Sequence, residues 1–196
     1  MLIGSRSKLE LLSDNFTVKV NKVPIETVTV CKSLGISNDE DLLWKTHIEE
    51  ISKISAGLSV PRRVSRTIPF STRETMYKAL IVPYFDYCNC VWRHIGKEFS
   101  EKLQQLQNRA ARIVTLSNYE TWSKDLLDEL GWEVLEVRRV SQLAIVMYKI
   151  THDISPPYLR NIFVNVSDVH SYNLRNSSVK VLLWSNLALL VFCNFW

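Results

Sequence analysis

From Phe16 apolar residues alternate with polar ones at Phe16, Val18 and Val20; Asn21-Lys22 and Pro24 interrupt before Ile25, Val28 and Val30. A period of two predicts a pair of short strands joined by a turn. From Asp41 the period changes. Trp44, Ile48, Ile51, Ile54 and Leu58 recur at three- and four-residue steps and share one helix face. Asn38 or Asp39 supplies the cap of this helix, with a side-chain oxygen for its free N–H groups, and Pro61 ends it. Ser71 and Glu74 form a capping-box pattern ahead of a second helix bearing Met76, Leu80, Tyr84, Tyr87, Cys88 and Val91. Pro83 kinks that helix, because its nitrogen has no hydrogen to donate.

The clearest helix runs from Phe99 to Leu116, with Leu103, Leu106, Ala110, Ile113 and Val114 on its apolar face and Lys102, Gln105, Asn108, Arg109 and Arg112 off it, exposed. Trp122 to Leu130 predicts a short acidic helix ended by Gly131. Val134 to Ile150 predicts a longer one with Val137, Val140, Leu143, Ala144, Met147 and Ile150 inward, stopped by Pro156-Pro157. Asn161 to Ser178 is polar and reads as irregular. Val181 to Trp196 is a stretch of sixteen residues without charge, short of the roughly 20 needed to span hydrocarbon. It is either a tail anchor or a segment translated out of frame, and it needs burial to avoid aggregation.

The implied architecture is α+β: a short N-terminal β-hairpin over 1–36, a helical region over 37–116, a helical extension over 117–162, and a loosely ordered tail over 163–196. A length of 196 residues suits one domain of ordinary size, with or without a short appendage. The hydrophobic share of 46% and charged share of 22% are those of a globular protein.

Charge changes this picture by its distribution. The net of +4 is modest, but Lys53 to Arg112 holds eleven bases against four acids, and Ser117 to Glu136 holds six acids against Lys124. A polyanion would therefore bind at the middle of the chain. Arg62, Arg63, Arg66, Lys102, Arg109 and Arg112 are the candidate contacts, with the helix from Phe99 placing a basic edge along a phosphate backbone. The bland alternative is a solvated amphipathic helix whose charges do nothing specific.

Other chemistry is sparse. Cys31, Cys88, Cys90 and Cys193 have no disulfide-like spacing, and the N-terminus lacks a basic start followed by an apolar signal core. An intracellular, reduced compartment is the expectation, with membrane binding not expected. Cys88, Cys90 and His94 invite a metal, but residues two apart on a helix diverge by roughly 200°, and buried thiols are the better reading. Tyr77, Tyr84, Phe85, Tyr87 and Trp92 surround their helix as core residues do, rather than forming a stripe for stacking on bases. His152 and Asp153 beside the Pro156-Pro157 stop read as turn residues. No Walker-type, dinucleotide or zinc-protease signature occurs.

One ordered series goes further. Met76-Tyr77, Ala79-Leu80-Ile81, Pro83-Tyr84, Asp86-Tyr87-Cys88 and Val91-Trp92 are followed by Leu103, Leu106-Gln107-Asn108 and Ala110-Ala111-Arg112-Ile113. The series resembles the segment after the polymerase palm in jockey-like, LINE-type retrotransposon reverse transcriptases. Upstream Lys32-Ser33-Leu34-Gly35-Ile36, Leu43-Trp44, His47-Ile48 and Lys53-Ile54-Ser55 are similar to the family's order, as are Pro156-Pro157-Tyr158-Leu159 and His170-Ser171-Tyr172-Asn173-Leu174-Arg175 downstream. The likeness extends from Met1 to about Ser178, and the order of the pieces carries it rather than any one of them. Two departures, at the residues before Ile54-Ser55 and at Pro61, suggest a decaying copy.

Phosphoryl transfer by such an enzyme needs carboxylates that share two metal ions about 4 Å apart, and in the family these sit in an aromatic-x-Asp-Asp turn. This chain has no Asp-Asp pair; Phe85-Asp86-Tyr87 offers one carboxylate, and Asn38-Asp39-Glu40-Asp41 sits where a helix should start. The resemblance therefore implies a region beginning past the catalytic turn, with 1–36 as a palm edge and 37–116 as a thumb-like region. It implies no catalytic residues and no cofactor, Mg2+ being expected only for the complete polymerase. The implied partners are an RNA/DNA primer–template duplex, bound weakly and in a salt-dependent way, and the remainder of the polymerase. A helical protein-interaction or tail-anchored module, or a translated relic without function, is the competing expectation.

Overall fold

Two pairs of residues with positive φ organise the start of the chain: Asn21 (50°) with Lys22 (68°), and Leu34 (48°) with Gly35 (81°). Consecutive left-handed residues form the tight turn whose twist matches that of paired strands. The first turn joins β1 (Lys19–Val20) to β2 (Val23–Pro24), and the second joins β3 (Val30–Ser33) to β4 (Ile36–Asp39), both antiparallel. Where one hairpin was expected there are two, because Leu34-Gly35 is itself a turn. The computed structural model describes residues 1–4, 7, 9, 17–53, 58–160, 163–165 and 180–182, so the expected strand residue Phe16 lies outside the described residues.

The second hairpin removes the predicted helix cap. Asn38 and Asp39 are buried in β4, with Val30 paired to Asp39 and Cys31 to Asn38. The Asn38 amide donates to the carbonyls of Cys31 (3.2 Å) and Ile36 (3.3 Å) rather than facing a helix end. The helix, α1 (Lys45–Lys53), starts four residues later than Asp41. Its buried His47, Ile48 and Ile51 lie against β4, and Trp44 before it is also buried.

Ile54 lies outside the described residues. Pro61 does not end a helix; it is buried inside the first turn of α2 (Ser59–Val64), where the missing N–H would have had no helical partner. The next helix, α3 (Phe70–Leu80), has Pro69 at its N-cap and no side-chain cap, so the Ser71–Glu74 capping box does not form. Ser71 is already helical, and its carbonyl accepts from Thr75 Oγ1 at 2.8 Å. Around Pro83 the chain breaks rather than kinks: Ile81 separates α3 from α4 (Val82–Asp86), and Tyr87 turns extended well short of Val91.

One unit comprises Met1–Tyr87 with His94–Leu135 and a second comprises Cys88–Arg93 with Glu136–Trp196. The core of the first is built on α5 (Lys97–Thr115), whose Leu103, Leu106, Gln107, Ala110, Ala111 and Val114 are buried against α1, α3 and α6 (Ser123–Leu130). Ala111, Leu126 and Leu127 form a cluster flanked by Leu130 and Trp132, and the Trp132 ring stacks on Tyr77 with centroids 3.9 Å apart. Gly131 ends α6 at φ 63°, its N–H meeting the Asp128 and Leu127 carbonyls while Trp132 N–H reaches Leu127 O at 2.8 Å.

In the second unit Trp92 is fully buried, and the Arg139 guanidinium carbon stands 5.9 Å from its ring centroid. Arg139 belongs to α7 (Leu135–Thr151), whose orientation differs from the expected one. Ile150 is buried and Leu143 and Met147 are half-buried, but Val137, Val140 and Ala144 are exposed. The helix turns Arg139 inward, where burial lowers its pKa and Glu136 opposes that effect. After α8 (Pro157–Arg160), β5 (Phe163–Asn165) pairs antiparallel with β6 (Lys180–Leu182), so part of the expected irregular segment is a ladder. The rest of the polar segment and the apolar tail lie outside the described residues, among which no helix is long and apolar enough to cross a membrane.

Candidate nucleic-acid interface

Helix α2 carries Arg62 and Arg63, Arg66 follows in the turn beyond it, and α5 carries Arg109 and Arg112 one turn apart. These five guanidinium groups line one concave surface of about 1000 Å³, with Leu58, Ile113 and Leu116 among them and Asn118 and Tyr119 at one side. No carboxylate is among the lining residues. Five like charges repel one another, and nothing in the lining offsets them; an anion would. Guanidinium is also the group whose planar fork matches phosphate oxygens two at a time.

The five are not equivalent. Arg62, Arg63, Arg66 and Arg109 are exposed. Arg112, expected to be exposed, is half-buried because its guanidinium holds the loop after α5: Nη2 donates to Ser123 Oγ (2.9 Å) and Thr121 O (3.4 Å), and its carbon lies 5.1 Å from the Tyr119 ring centroid. Lys102, the sixth candidate, is exposed but does not line the pocket. Seven residues before Arg109 it is on nearly the same side of the helix, roughly 10 Å along the axis. It extends the basic edge.

Arg73 is one of the eleven bases of this stretch, yet it is buried. From α3 its Nε donates to Val114 O (2.7 Å), and Nη1 donates to Ser65 O (3.0 Å) and Ile68 O (2.8 Å). The Val114 and Ser65 carbonyls lie at the C-terminal ends of α5 and α2, where helices leave acceptors free and favour a cation, and that of Ile68 lies in the turn between α2 and α3. One side chain thus fixes both walls of the arginine pocket. Its only trace in the sequence is its place four residues before buried Tyr77, on the same helix face.

The remaining candidates divide differently. Tyr77, Phe85 and Trp92 are buried, as core aromatics should be, while Tyr84 and Tyr87 are half exposed and the Tyr87 hydroxyl donates to Leu34 O at 2.7 Å. Among the described residues the most exposed aromatics are Tyr119 (87%) and Trp122 (78%), which lie beyond the aromatic segment from Tyr77 to Trp92. Cys88 is exposed rather than buried, and it sits in a turn at φ 49°, not on a helix; Cys90 is half-buried, and burial raises its pKa. His152 stacks on Tyr148 and Asp153 holds Arg160, consistent with turn roles. Among the described residues no three His, Cys, Asp or Glu side chains are placed to hold a metal ion.

The molecule is thus an α+β chain with an acid-free arginine pocket between two of its helices. Over 103 residues, half of this chain, its sequence is 24% identical to the probable RNA-directed DNA polymerase from transposon X-element of Drosophila melanogaster. This likeness, though weak, supports a relationship to retrotransposon reverse transcriptases, and the matched stretch spans 11% of that protein's length. No family model and no solved structure matches the chain.

Proposed function

We propose that this chain is the region following the catalytic palm motif of a jockey-like, non-LTR reverse transcriptase, and that its own activity is sequence-independent binding of a primer–template duplex. The carrying observation is the pocket of five arginines without a carboxylate. Backbone phosphates are the ligand that such a surface suits, because contacts to them need no base identity. Helices α1 to α5 serve as the thumb-like grip in this reading, and the chain alone does not polymerise, since it has no Asp-Asp turn.

The test is anisotropy of a labelled RNA–DNA duplex titrated with the full chain at several salt concentrations. With four exposed arginines on phosphates, log K falls against log salt with a slope of roughly −3 to −4. Glutamate at Arg62, Arg63, Arg66 and Arg109 together abolishes binding while far-UV circular dichroism is unchanged. Affinity that ignores salt would sink the proposal.

A second reading, a protein-interaction module, is favoured by α7, which exposes Val137, Val140, Ile145, Val146 and Tyr148. The remainder of a polymerase is the partner this reading names. Its test is a polar substitution at Val137 and Val140, which should prevent co-purification with the palm when both are expressed.

A further inference from the structure

We infer that Tyr119 and Trp122 form a stacking rim for unpaired bases beside the arginine pocket, so that the site takes a single-stranded extension next to the bound backbone. The inference rests on the proposed phosphate-binding role of the pocket and adds what it does with bases. Tyr119 lines the pocket, has the Arg112 guanidinium carbon 5.1 Å from its ring centroid, and is 87% exposed. Trp122, three residues on, is 78% exposed. Isolated exposed aromatics are ordinary on protein surfaces; two within four residues, at the side of an acid-free cationic surface, are a combination that suits nucleobases.

The backbone that presents them is held. Arg112 Nη2 binds Thr121 O and Ser123 Oγ, on either side of Trp122. Thr121 N–H closes a turn on Asn118 O at 3.3 Å, and Trp122 O accepts from Leu126 N–H at 3.4 Å as α6 begins. The rings are therefore displayed on a fixed loop rather than on a free one, which lowers the ordering cost when a base stacks. Guanidinium groups that follow the backbone, with aromatic faces that accept any base, are the two elements of sequence-tolerant single-strand binding.

The experiment uses the full chain with two probes, an oligo(dT) strand of about twelve nucleotides and a blunt RNA–DNA duplex of equal length. Trp44 and Trp92 are buried and Trp132 is stacked on Tyr77, so among the described residues Trp122 is the indole that a base can reach. Oligo(dT) should quench tryptophan emission, and the quench should vanish in Trp122→Leu. Tyr119→Ala and Trp122→Leu should each weaken oligo(dT) binding about tenfold and duplex binding less than about twofold, with Tyr119→Phe retaining affinity. Equal weakening for both probes, or no quench on binding, overturns the stacking rim and leaves duplex binding standing. No binding of either probe overturns both proposals.

Discussion

Helices α5 and α7 are of similar length, nineteen and seventeen residues, and each carries apolar residues at three- and four-residue steps, yet they meet opposite fates. Six residues of α5 are buried at three- and four-residue steps, and two of its arginines remain for the pocket. Along α7 only Leu135, Arg139 and Ile150 are buried, and a run of valines and isoleucine faces outward. An apolar stripe states that a helix needs a partner, not that it has one. In α5 the demand is met by α1, α3 and α6 within the same unit.

The strongest way to break the α5 side is through Arg73. Replacing it with Met leaves two buried carbonyls and one half-buried carbonyl without this donor and should cost about 3 kcal/mol, read as a lower urea midpoint. Lysine should recover only part of this, because one ammonium cannot reproduce the guanidinium fork. Next in size, Leu106→Ala should cost about 2–4 kcal/mol by opening a cavity, whereas Val140→Ala on α7 should stay within about 0.5 kcal/mol. Equal losses at the two positions would mean that α7 is packed as fully as α5.

His47 gives a pH-dependent version of the same contrast, since it is buried on α1 where that helix meets β4. Burial lowers its pKa, with Glu50 opposing that effect. The unfolded chain therefore takes up the proton first, and stability should fall as the pH drops below the ordinary histidine value of about 6.5. Urea midpoints measured across this range should show the fall, and His47→Gln should flatten it. Smallest in stability, Arg109→Glu should change the unfolding free energy by less than about 0.5 kcal/mol while weakening duplex binding. Lys102→Glu, outside the pocket, should weaken binding less than Arg109→Glu does.

Local signals with one dominant cause were legible in the sequence. The α5 stripe, the Gly131 stop and the Asn21-Lys22 turn each follow from periodicity or a positive φ, and each is where expected. Signals that depend on a distant partner were not. The turn at Leu34-Gly35 pulls Asn38 and Asp39 into a strand by pairing them with Cys31 and Val30, and no apolar period marks that pairing. For the site, the basic stretch was legible as charge, and five of the six candidates do gather on one surface. Charge alone could not separate Arg109, which faces solvent, from Arg112, which holds a loop, or from Arg73, whose partners come from other segments.

The bond from Arg73 to Val114 spans 41 residues of sequence, which has a consequence for a chain emerging from the ribosome. Domains generally fold as units during synthesis, and a nascent chain that has released Arg62, Arg63 and Arg66 but not α5 would have the charges without the walls. The pocket can close only after Val114 has left the exit tunnel, so the nucleic-acid affinity proposed for it should switch on late in translation rather than grow with each arginine added.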